Sequence, residues 1–296
     1  MALGYIGHEK NFIYIQGEPL LDVQSVDSSI SSNRSPLHMA GVTSTLQVAE
    51  GVSQATLSLE RYVISSTDND PFGNNSLFYG GFSGVWEHVD SAGNNNYFAM
   101  KTGYVEDYTF TAAVNSVPSI SMGLVAYGSG IGQIDTVPSM PQPASADFLT
   151  NYIFPKQIEL AFPEPNTLSG IVTTNRVQSF SISFGMNREV RNRLGQMKKI
   201  PETFISYPLE ATLSIDIEVD EYSIPAIETL LCQDPETIYL YLKKCDGTQF
   251  RAFQFSDGVI QSASMNEEVT DINKATLEYT RYLNSDDDIN FWLPEE

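Results

Sequence analysis

Apolar and small polar residues alternate along several stretches of this chain. In Phe180-Ser181-Ile182-Ser183-Phe184 every second position is apolar, and Ala211, Leu213, Ile215 and Ile217 alternate with Thr212, Ser214, Asp216 and Glu218. Ala275, Leu277 and Tyr279 alternate with Lys274, Thr276, Glu278 and Thr280, and Ala55, Leu57 and Leu59 with Thr56, Ser58 and Glu60. A period of two buries one set and leaves the other in water, which predicts antiparallel sheet with one wet face. One segment has helical spacing instead. Ser223 stands as an N-cap, Pro225 fits the first turn, and Ile224, Ile227 and Leu231 share a face up to Cys232. A Gly- and Asn-rich counterpart between Phe72 and Gly80 is weaker.

The alternating segments recur. Val23-Gln24-Ser25 returns as Val177-Gln178-Ser179, Asn33-Arg34 as Asn187-Arg188 and Gly41 as Gly195, all at an offset of 154. Ala55-Thr56-Leu57-Ser58-Leu59 returns as Ala211-Thr212-Leu213-Ser214-Ile215 at 156, and Gly103 as Gly258 at 155. Matches in one order at a nearly constant offset indicate a duplication. Between the copies lies a Gly-rich and then Pro-rich stretch. The expected organisation is a first unit at 1–130, a linker at 131–149 and a second unit at 150–296. The expected fold class is all-β with minor α, each unit a small β-barrel or sandwich with one flanking helix.

Composition agrees with a β-rich protein able to bury a core, with 42% hydrophobic residues, 16 Phe, 15 Tyr and only 18% charged. The formal net charge is -21. Residues 1–150 carry 4 basic and 14 acidic side chains and residues 151–296 carry 12 and 23, so no acidic tail explains the excess. Such a field repels nucleic acid and anionic membranes. Cys232 and Cys245 are the two cysteines, which is no disulfide framework and suits a reducing compartment. No leader pattern opens the chain and no run nears the roughly 20 apolar residues that span a bilayer, so an intracellular product without membrane association is expected.

No catalytic, metal or cofactor constellation emerges, and an enzyme is not expected. His8, His38 and His88 have no metal-like spacing with each other or with the cysteines. Gly128-Ser129-Gly130-Ile131-Gly132 superficially resembles a phosphate-binding loop but runs straight into the Pro-rich linker. Asp286-Asp287-Asp288 reads as a solvated turn. The wet face is unusual in carrying Ser, Thr, Asp and Glu with few basic or large apolar residues. It is either an ordinary solvated sheet face or the lining of an acidic channel.

Three segments resemble the tube domain of bacteriophage tail tube proteins. Asn151-Tyr152-Ile153-Phe154-Pro155-Lys156-Gln157-Ile158-Glu159-Leu160 is similar to the Phe-Pro segment that leads into that domain. Val177 to Gly195 is similar to its first long hairpin, and Gly258 to Ser264 with Lys274 to Tyr282 to its closing strand pair. The resemblance covers most of the second copy and, through the repeat, a looser version of the first. It implies domains that join side by side into sixfold rings, which stack into a tube that passes genomic DNA. Two fused domains would make a ring from three chains, with a hexamer also open.

The resemblance gives residues roles. Glu60, Asp216, Glu218 and Glu278 become candidates for the lumen lining, where carboxylates repel phosphate. Arg188, Arg191, Arg193, Lys198 and Lys199 crowd one loop, the candidate contact with the neighbouring ring. The implied partners are other copies of the chain, the tape measure, baseplate and terminator proteins, a sheath where the tail contracts, and DNA that passes without specific binding. The implied location is the virion tail, assembled in the host cytoplasm. Alternatives are a baseplate or terminator ring, a secretion-type tube, and a tandem β-sandwich carbohydrate-binding module, for which Tyr79, Phe82 and Trp86 form the candidate aromatic group.

Overall fold

The computed structural model describes residues 12–16, 18–20, 23–31, 34–37, 47–50, 53–63, 80–89, 95–128, 131–133, 155–163, 171–191, 202–232, 237–266 and 273–285. They are mostly β-sheet with one short helix. The first half holds β1 (Phe12–Ile15), β2 (Glu18–Leu20), β3 (Val23–Ser31), β4 (Arg34–Leu37), β5 (Gln47–Glu50), β6 (Gln54–Tyr62), β7 (Phe82–Val89), β8 (Asn95–Ala113), β9 (Ser119–Tyr127) and β10 (Ile131–Gln133). The second holds β11 (Gln157–Pro163), β12 (Ile171–Gly185), β13 (Arg188–Arg191), β14 (Glu202–Ile205), β15 (Leu209–Glu218), helix α1 (Ile224–Cys232), β16 (Thr237–Lys243), β17 (Gln249–Ser256), β18 (Val259–Asn266) and β19 (Lys274–Leu283).

The two halves repeat one pattern of antiparallel pairing. β3–β6, β6–β9 and β9–β8 in the first half answer to β12–β15, β15–β19 and β19–β18 in the second. The hairpin β4–β5 answers to β13–β14, and β1–β7 to β11–β16. Even the irregularities recur. The ladder shifts between Val23 and Ser25 on β3 and between Val177 and Ser179 on β12; it shifts again between Val105 and Asp107 on β8 and between Ile260 and Ser262 on β18. Bulges place an unpaired residue and bend the strand, so keeping them fixes where each strand turns.

The halves are not separate sheets. β8 and β12 pair with each other from Asp107↔Gly185 to Ala113↔Ser179, so 15 strands form one sheet. That sheet does not close into a barrel within the chain, which corrects the barrel form of the barrel-or-sandwich expectation. Both strands are long, 19 and 15 residues, and serve two layers. Up to Gly103, β8 pairs with β7 and β10; beyond it, with β9 and β12. Likewise β12 pairs with β11 through Val177 and then with β15 and β8.

The apolar sets expected from the alternation are buried: Ala55, Leu57 and Leu59; Phe180, Ile182 and Phe184; Ala211, Leu213, Ile215 and Ile217; Ala275, Leu277 and Tyr279. Phe253 of β17 packs on Phe110 of β8 and Phe180 of β12, with ring centroids 4.5 and 5.3 Å apart. Each such ring removes enough apolar surface from water to contribute about 1.5–3 kcal/mol. This aromatic group holds the second layer against the strand junction.

The helix differs from expectation in its packing face. Ala226, Ile227 and Leu230 are buried, while Ile224 and Leu231 are exposed. At 100° per residue the buried three cluster around one direction, and Ile224 and Leu231 sit on its flank. Its start is also tied differently. Asp220 Oδ1 accepts the backbone N–H of Tyr222 and of Ser223, and Ser223 Oγ turns back to the backbone of Asp220. The first-half counterpart lies outside the described residues except Gly80. Of the 131–149 stretch, Ile131–Gln133 is strand paired with β8, and the rest lies outside the described residues.

Candidate functional site: a polar sheet face and its two edges

Eight strands run edge to edge in the order β3–β6–β9–β8–β12–β15–β19–β18. Alternation sends their apolar side chains into the core, so the opposite face is built from what is left. Across it Glu60, Ser121, Thr109, Ser183, Thr212 and Thr280 stand in one cross-strand row. A second row runs Tyr62, Ser119, Thr111, Ser181, Ser214, Glu278 and Ser262. The face is a carpet of hydroxyls and carboxylates that crosses the junction of the halves without a break.

Glu60, Asp216, Glu218 and Glu278 all fall on this face, on β6, β15 and β19. Hydroxyl and amide donors from adjoining strands hold three of them. Asp216 accepts from Ser179 Oγ and Thr276 Oγ1, each at 2.7 Å; Glu278 accepts from Ser262 Oγ at 2.7 Å; Glu218 accepts from Gln178 Nε2 at 3.1 Å. Donation from neutral groups keeps each negative charge in place without cancelling it. A cation, Lys274, stands opposite Glu218 at the end of β15.

The junction end of the face is tied down by Arg188. Asn187 takes a positive φ of 30°, a turn Asn tolerates better than most residues, and this turn leads directly into Arg188. Arg188 is half-buried, its Nε donates to the Val105 carbonyl at 2.8 Å, and its guanidinium lies over the Tyr104 ring at 4.9 Å. The acceptor is thus the residue at the bulge of β8. Beside it, burial and the neighbouring Asp107 push the Glu106 carboxyl up from its ordinary range. Burial and then Glu106 raise the Tyr127 hydroxyl, with Arg188 opposing.

Arg188 therefore bonds within its own chain, where the sequence placed it in a loop reaching outward. Arg191 is exposed on β13, its guanidinium 4.6 Å from the centre of the Phe204 ring. Arg193, Lys198 and Lys199 lie outside the described residues. The aromatic group of the carbohydrate-binding alternative is not assembled on the surface. Phe82 is buried, Trp86 packs on Phe98 with centroids 4.0 Å apart, and Tyr79 lies outside the described residues.

Sequence reasoning missed the junction itself and the part Arg188 plays in it. The repeated Asn-Arg pair was the available signal. Among the described residues no three His, Cys, Asp or Glu side chains gather as a metal site, and no helix is long and apolar enough to cross a membrane. The chain matches no protein-family model and no curated protein.

Proposed function

We propose that this chain is a structural subunit of a phage tail tube, in which two fused tube domains supply two neighbouring positions of a pseudo-sixfold ring. The observation that carries the reading is the β8–β12 pair, which joins the two repeats edge to edge and makes one continuous polar face from both. Repeating that joint around an axis would close the open sheet, and closure removes the exposed edges that otherwise invite uncontrolled pairing. Three chains of eight strands would bring about 24 strands to such a ring, with the polar face turned inward.

The face suits a conduit. Its carboxylates repel phosphate, and its hydroxyls offer neutral polar contact, so DNA would slide without being held. No ligand needs recognising, which fits a surface of rows rather than a pocket. Stacking of rings falls to the hairpin that carries Arg191, with Arg193, Lys198 and Lys199 beyond it. A baseplate or terminator ring would use the same joint and differ in copy number. Negative-stain microscopy of the purified protein tests the proposal: rings or hollow tubes agree with it, and a monomer at all concentrations does not.

A further inference from the structure

The repeat defines two halves of a second joint. By their ladders with β6 and β15, β3 occupies the place of the C-terminal part of β12, and by their ladders with β9 and β19, β18 occupies the place of the C-terminal part of β8. Yet β8 and β12 pair with each other, whereas β3 pairs with β6 and β18 with β19 and with no other described strand. These two edges stand at opposite ends of the eight-strand order. Among the described residues they do not pair with each other.

Side-chain exposure agrees. Phe184 on β12 and Phe110 on β8 are 4% and 0% exposed at the internal joint. The equivalent residues at the two edges, Ile30 and Met265, are 59% and 60% exposed although both point to the core side of their strands. Nor are the edges guarded by charge: β3 carries Asp27 alone and β18 carries no charged residue. Edges with one acid between them and bulky apolar residues on their inner side are what an incomplete joint leaves behind.

We infer that β18 of one copy pairs antiparallel with β3 of the next, in the register of the internal β8–β12 joint. Transferring that register sets Ala263 opposite Ile30, Ser264 opposite Ser29 and Met265 opposite Ser28. Ile30 and Met265 then enter the core, and Ser29 and Ser264 extend the polar face across the boundary between copies. Arg34, whose side chain lies outside the described residues, occupies the repeat position of Arg188. The contact is heterologous, so it propagates head to tail until it closes. The inference rests on the tube reading for the number of copies, not for the joint itself.

Cross-linking in register tests it. Full-length chain carrying Ser29→Cys with Ser264→Cys is treated with a short bismaleimide, and linked peptides are read by mass spectrometry. Wild type and the out-of-register pair Ser25→Cys with Ser262→Cys serve as controls, since Cys245 is exposed. The expected result is linkage between positions 29 and 264 of different copies, at least tenfold above either control. Ile30→Lys should weaken association about 10-fold or more by leaving a charge in the joint. Linkage in this register without hollow particles keeps the joint and removes the tube reading. Rings or tubes without that linkage overturn the joint alone, and a chain that stays monomeric also overturns it.

Discussion

Tyr108 and Phe184 stand directly opposite one another across the β8–β12 junction, their ring centroids 5.4 Å apart and both side chains buried. The contact joins the two repeats on the core side of the sheet, while backbone pairing along the same strands carries the polar face across the junction. Phe184→Ala should lower unfolding stability by about 3–5 kcal/mol, from lost burial and the cavity left behind. Chemical denaturation measures it. Because the sheet is continuous, wild type should unfold in one transition by fluorescence and circular dichroism alike. Separate transitions for the two halves would show that the junction does not couple them.

Asp220 links the start of α1 to β12, accepting the N–H groups of Tyr222 and Ser223 and pairing with Arg176 at 2.8 Å. Desolvation works against its charge, but those N–H bonds, the Ser223 side chain and Arg176 together hold its carboxyl below the ordinary value of 3.8. A depressed folded value gives stability that is present above the unfolded value and lost as pH falls through the folded one. Asp220→Ala should therefore melt below wild type at neutral pH, and the gap should narrow as pH falls below about 3.8. A gap independent of pH would mean that the charge is not what caps the helix.

The proposed lumen makes a prediction about charge sign. Glu60 and Glu278 are exposed on the polar face, so Glu60→Lys with Glu278→Lys should leave folding and assembly intact. Assembled particles of the variant should then retain short duplex DNA at low salt and release it as salt rises, while wild-type particles retain none. Equal retention by both would separate this face from the DNA path.

Ring stacking is assigned to the basic hairpin. Reversing Arg191, Arg193 and Lys198 to Glu should stop tubes from growing while single rings persist, as scored by microscopy. Arg188 is excluded from that set because its bond to the Val105 carbonyl serves the chain's own junction. Tubes of normal length from the triple variant would remove the hairpin from the stacking contact.

Much of the sheet was legible in the sequence because alternation is a local signal. Ala211 to Glu218 reads as a strand with one wet face, and the structure buries its apolar members and leaves Asp216 and Glu218 half-buried on the other face. The repeated Val23-Gln24-Ser25 and Val177-Gln178-Ser179 segments each fall on a register shift, in β3 and in β12. What alternation cannot give is the neighbour of a strand. Nothing in residues 107–113 names 179–185 as partner, so two separate barrel or sandwich units were expected where one continuous sheet forms. The helix shows the same limit. Ile224 and Leu231 obey helical spacing, yet the neighbouring layer selects Ala226, Ile227 and Leu230 as the face to cover.

The measurement that tests the central claim most directly is the particle mass of the purified chain together with its image. Native mass spectrometry should give a closed species of three times the 32.8 kDa chain, and class averages of it should show a hollow ring with six similar lobes. A stable monomer across the concentration range, or a closed particle with no central channel, would contradict the account.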